Sequence, residues 1–293
     1  MNKEMLMRFL ENNPVQFDLS NDCTKDVSYV CREGFDKYFA YKTQNSVGDP
    51  DLKSVLLQEI YKLLWEEALL QEWMNVRGWI QSDTMTSVQF TMAEYMKDTF
   101  CTEVKQYMCE NPRQRYVSVN MCKAMYEGMS TVNTQLNGNE NFLRFVSVYH
   151  TIGNYVPVPR GFNTARSGNF GSHDYWDLTL MMIKEYYDLR DKKKIFRKQP
   201  EVVLEVLLNS PDSIYACKSW LNFYESWNEF VEKNYFQDYV DRNGNVIPFC
   251  KGHAWGNGKN KISNYNEFFL NAWRRIEARG YRIVSALYNK LSI

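Results

Sequence analysis

Residues 263–290 read Ser-Asn-Tyr-Asn-Glu-Phe-Phe-Leu-Asn-Ala-Trp-Arg-Arg-Ile-Glu-Ala-Arg-Gly-Tyr-Arg-Ile-Val-Ser-Ala-Leu-Tyr-Asn-Lys. Phe269, Trp273, Ile276, Ile283 and Leu287 recur at helical intervals, so they share the inward side of one long helix. Gly280 sits inside it. A glycine there costs about 1 kcal/mol relative to alanine, unless something must pack closely against it. Arg274, Arg275, Arg279 and Arg282 lie on the same helix, and Arg275, Arg279 and Arg282 share a side.

Working outward, most other segments carry the same period. Asp49-Pro50-Asp51 reads as a helix start, with Leu52, Leu56, Ile60, Leu63 and Leu64 on one face and an end near Trp65. Phe90 to Cys109 reads as a helix halted at Asn111-Pro112. Ser172 and Asp174 open another, with Trp176, Leu180, Ile183 and Tyr187 inward, and Val202 to Leu208 is a short buried helix. Trp220, Phe223, Trp227 and Phe230 form one aromatic stripe, read as a core seam. Asp241-Arg-Asn-Gly244 is a turn, and strand signal is confined to 115–120 and part of 145–158. The expected fold is mainly α, with a minor strand or hairpin component. It is one irregular helical domain over 35–293, after an N-terminal extension at 1–34.

Composition bounds the function. Hydrophobic residues at 44% with only 14 Gly and 8 Pro describe a folded chain. Lys plus Arg and Asp plus Glu are 35 each, which excludes a surface built wholly for nucleic acid but leaves room for a local basic site. No apolar run approaches transmembrane length, and the first ten residues lack a signal-peptide pattern, so no membrane association and a cytoplasmic location are expected. Seven cysteines without a CxxC pair then read as reduced thiols. Cys250 and His253 make a lone CxxH, read as loop chemistry rather than a metal site. With no Walker loop, GxGxxG, GxSxG or HExxH, no cofactor is expected. Five basic residues within 191–198 read as a solvated face.

One segment concentrates polar chemistry. Residues 149–173 hold two of the three histidines, two Arg, three Asn, two Pro and four Gly, and no acid occurs between Asn141 and His173. Guanidinium forks, amides and open backbone N–H groups are the parts that hold a phosphate or carboxylate. His150, with a reference pKa near neutrality, is the candidate acid–base, and Asn154 and Asn163 are its candidate catalytic partners. Arg160 and Arg166 in the loop, with Arg275, Arg279 and Arg282 on the last helix, are the candidate phosphate-binding residues. Residues 251–293 carry eight Lys or Arg against two acids, so a basic pocket results if that helix face meets the loop.

His150-Thr-Ile-Gly-Asn154, the apolar run after it, Asn163, Ser167 and Asn169-Phe170 resemble part of the HNH-type C-terminal domain of modification-dependent restriction enzymes. That resemblance implies metal-activated nucleic-acid cleavage. The segment is degenerate, because the family's upstream catalytic histidine has no counterpart before His150. Phe35-Asp36, Asp49 to Trp65, His150 to Asn163, Asn234 to Val240 and Arg279 to Ile283 resemble an uncharacterised bacterial family of unknown function. This wider resemblance implies a bacterial or phage protein in a cytoplasmic setting.

Two readings follow. The first is a nucleic-acid- or nucleotide-directed protein of a defence or counter-defence system, with phosphate held by the arginines. The second is a non-catalytic interaction module or inhibitor that binds a macromolecular partner, for which abundant Trp and Tyr supply anchors. The sequence leaves catalysis itself undecided.

Overall fold

Ser54 opens α1 (Val55–Leu64): its backbone is extended and its Oγ accepts the Leu57 N–H at 3.1 Å. The expected start at Asp49-Pro50-Asp51 lies outside the residues that the structure describes, as do residues 52 and 53. A buried serine cap replaced by alanine typically loses about 1 kcal/mol, so Ser54→Ala is expected to lower the urea midpoint by a matching amount. In this computed structural model the described residues are 4, 6–8, 54–75, 78–86, 140–149, 151–166, 175–191, 199–254 and 262–291. Most of the expected extension, the helix at 90–109 and the strand signal at 115–120 fall outside them.

After α1 come α2 (Glu67–Trp73), β1 (Ser82–Thr84) and α3 (Glu140–Val148). A 3-10 turn (Ile152–Asn154) leads directly into β2 (Tyr155–Pro157), then α4 (Phe162–Arg166) and α5 (Trp176–Asp191). Helices α6 (Glu201–Leu207), α7 (Pro211–Phe223) and α8 (Trp227–Lys233) follow, then a 3-10 turn (Gln237–Tyr239) and α9 (Tyr265–Leu291). The fold is mainly helical. Its sheet is a two-stranded antiparallel pair in which Asp83 faces Val156 and Thr84 faces Tyr155. Gln58 extends this pairing from α1, giving its amide N–H to Ile80 O at 3.0 Å and accepting the Ile80 N–H at 2.7 Å.

The long helix forms as its periodicity requires. Phe269, Ile276, Ile283 and Leu287 are buried, while Trp273 is half-buried and donates its indole N–H to Asn141 at 3.1 Å. The α9 helix packs along α3, the Ile152–Asn154 turn and α1, and Phe269 meets Phe142 at 5.2 Å and Phe145 at 5.3 Å. In α5 all four expected inward residues are buried.

The aromatic stripe breaks into two helices. Ser226 accepts the Glu229 N–H at 3.2 Å while Glu229 accepts the Glu225 N–H at 2.6 Å, a reciprocal cap that starts α8 afresh. Trp220, Trp227 and Phe230 still form a core seam, with Trp220 and Phe230 centred 5.2 Å apart. Phe223 turns outward and is 44% exposed. The Asp241–Gly244 turn forms, closed by one bridge between Val240 and Val246.

Candidate functional site

The arginine face of α9 does meet the polar loop. Arg279 Nη1 donates to Gly153 O and Tyr155 O, both at 2.8 Å, and its Nε reaches Asn234 O at 3.3 Å. The guanidinium lies over the Phe236 ring, 5.2 Å from its centre, and among the described residues no carboxylate pairs with it. Burial pulls its pKa down to about 10. This is a clamp on three carbonyls rather than an open pocket. The crossing requires a glycine at 153: it passes Gly280 backbone to backbone, and a Cβ on Gly153 would stand 1.9 Å from Ile276 O, whereas one on Gly280 would meet only ordinary contacts.

The other candidate arginines divide between interior and surface. Arg275 is buried and donates to Ile247 O at 2.6 Å and Pro248 O at 2.9 Å, and burial lowers its pKa. Arg282 pairs with Asp238 through two bonds of 2.5 and 3.2 Å, which raises its pKa. Arg166 is fully buried, bonded to Asp83 and, at 2.6 Å, to Thr179 Oγ1. Trp176 gives its indole N–H to the same Asp83 oxygen at 2.8 Å. Burial raises the Asp83 carboxyl, against the opposing pull of Arg166. Arg160 stays exposed on the loop before α4.

The candidate asparagines separate. Asn154 is buried as a staple, accepting the Thr86 N–H at 3.1 Å and donating to Tyr149 O at 2.8 Å. Asn163 is exposed on α4. His150, Ser167, Asn169, Phe170 and His173 lie outside the described residues. The loop fragment at Cys250 places His253 Nδ1 2.6 Å from Asp177 Oδ2, which also accepts the Phe249 N–H at 2.8 Å. Both side chains are buried there, and the pair ties that loop to the start of α5. Cys217 and Cys250 are buried free thiols. Among the described residues, no three His, Cys, Asp or Glu side chains converge as metal ligands.

A second feature gives no local sequence signal. A cleft of 590 Å³ opens between the end of α1, the α7–α8 junction, the segment after α8 and the last turn of α9. Four carboxylates, Glu66, Glu225, Glu229 and Glu232, line it beside Lys233 and Lys290. Its apolar wall is Trp65, Phe223, Tyr224 and Tyr235. Tyr235 holds a left-handed φ of 61° at the place after α8 where glycine is usual. The Phe236 N–H to Val231 O and Tyr235 N–H to Glu232 O bonds, 2.8 and 3.1 Å, complete that helix stop. The strained tyrosine sets its ring edge-on to Trp65 at 5.5 Å. Trp65 in turn donates to Asn234 Oδ1 at 3.1 Å, fixing the floor. Burial raises the pKa of Tyr224 to about 12 and raises that of Tyr235 as well, so both phenols stay neutral near pH 7. The acids come from different elements, and only the Ser226–Glu229 capping spacing was visible locally.

No helix among the described residues is long and apolar enough to cross a membrane. No curated protein and no solved structure matches the chain. A family model does match, over residues 35–283, and those bounds take in the Arg279 clamp, the buried Asp83–Arg166 pair and all of the cleft except Lys290. The chain belongs to the family of unknown function DUF6994.

Proposed function

We propose that the protein works by binding a macromolecular partner, as an interaction module without a catalytic step, and that the cleft beside α8 is its docking site. The observation that carries this reading is the cleft itself: a concave, ring-walled surface bordered by exposed charge, with Phe223 presented at its edge. Large rings beside a polar rim are the usual anchors of protein interfaces. Of the five guanidiniums on which the nucleic-acid- or nucleotide-directed reading relies, Arg160 is exposed and the other four are engaged elsewhere. Arg166, Arg275 and Arg279 are buried on internal acceptors, and Arg282 is held by Asp238.

Affinity capture with the purified full chain as bait tests the choice. A protein retained by the wild type and lost with Phe223→Ser is the expected result. Equal capture by both forms places the interface elsewhere. A thermal shift with short DNA or RNA that fades with salt and disappears in Arg160→Ala overturns the proposal in favour of phosphate binding.

A further inference from the structure

We infer that the cleft receives a basic segment of a partner protein, seating a lysine or arginine side chain among the Glu66, Glu225 and Glu232 carboxylates and against the rings of Trp65 and Tyr235. This deepens the interaction reading and rests on it.

Charge is the first ground. Among the described residues none of the four lining carboxylates is held in an ion pair, although Lys233 and Lys290 stand in the same cleft. Unpaired carboxylates on a concave wall concentrate a negative potential where a ligand enters. The two lysines limit it, so the cleft suits one or two cations rather than a polybasic run. The second ground is the wall. Ring faces attract a cation electrostatically, and a guanidinium stacks on them as well.

At 590 Å³ the cleft lies within the range of sites that enclose a ligand group, with room for two side chains.

The probe is a fluorescein-labelled Gly-Ser-Arg-Gly-Arg-Gly peptide, followed by anisotropy, against the same peptide with citrulline in place of arginine. Citrulline keeps the shape and removes the charge. At least a tenfold loss is expected on that replacement, and a similar loss in Glu225→Lys/Glu232→Lys. Glu205→Lys/Asp212→Lys makes the same change in net charge at exposed positions outside the cleft, and should lose less than twofold. All four substituted residues are exposed, and circular dichroism of both doubles is to be compared with wild type to check that they are folded.

Equal losses in the two doubles would reduce the effect to general surface charge and overturn the inference. So would equal binding of the citrulline peptide, or displacement by spermidine at a tenth of the peptide's concentration, which would assign the cleft to a small polyamine. Capture that depends on Phe223 while the citrulline peptide binds equally well would sink the charge inference alone. The interaction reading would then stand.

Discussion

Gly153→Ala is expected to lower the melting temperature by roughly 6–12 °C, the equivalent of about 3 kcal/mol of overpacking. The added Cβ would lie 1.9 Å from Ile276 O and 2.8 Å from Gly280 N. Both are backbone atoms of α9, so no side chain can rotate away. Either the helix moves off the turn or Arg279 loses its hold on Gly153 O and Tyr155 O. Gly280→Ala should behave oppositely. Its Cβ would meet nothing nearer than Gly153 N at 3.6 Å, an ordinary contact. Replacing a helix-interior glycine then gains up to about 1 kcal/mol. Calorimetry on both variants decides the matter: two similar melting temperatures would refute the close crossing described here.

The second large effect is at Asp83. Arg166→Met is expected to lose about 3–5 kcal/mol at pH 7, because it leaves a buried carboxylate without its cation. Burial already holds the Asp83 carboxyl above its ordinary value, and Arg166 is the main group opposing that rise. A folded state that binds this proton more tightly than the unfolded chain loses stability as pH rises through the interval between the two pKa values. Without Arg166 the interval extends further upward. The variant's deficit relative to wild type should therefore be largest at neutral pH and shrink toward pH 4, where Asp83 takes up a proton and needs no counter-charge. Urea titrations of both proteins from pH 4 to 8 measure it. A deficit that does not change with pH would mean that lost packing against Phe162 and Trp176, not charge, is what Arg166 supplies.

The sequence disclosed those parts of the fold whose cause is local. The helices α5 and α9 follow from apolar period alone, and the core seam of Trp220, Trp227 and Phe230 from ring spacing. Caps were less legible, since nothing in the local spacing singles out Ser54, which opens α1. The candidate phosphate residues show a deeper limit. The helical repeat correctly places Arg275, Arg279 and Arg282 on one side, and that side does reach the loop. It cannot say whether a guanidinium on arrival meets solvent or a carbonyl. For Arg279 the answer lies at Gly153, 126 positions away. The cleft escapes a linear reading for the same reason, because its carboxylates converge only after α1 and α8 have packed.

Arg279 also has a consequence for the order of events during synthesis. The carbonyls of Gly153 and Tyr155 leave the ribosome more than a hundred residues before the donor that satisfies them. Until residues 265–291 are made, the nascent chain carries an open seam along α1, α3 and the Gly153 turn, with its apolar side chains still uncovered. Contacts of such long sequence separation form late and slowly. Synthesis of residues 265–291 is thus the step that covers this seam, and until then its apolar surface is open to aggregation.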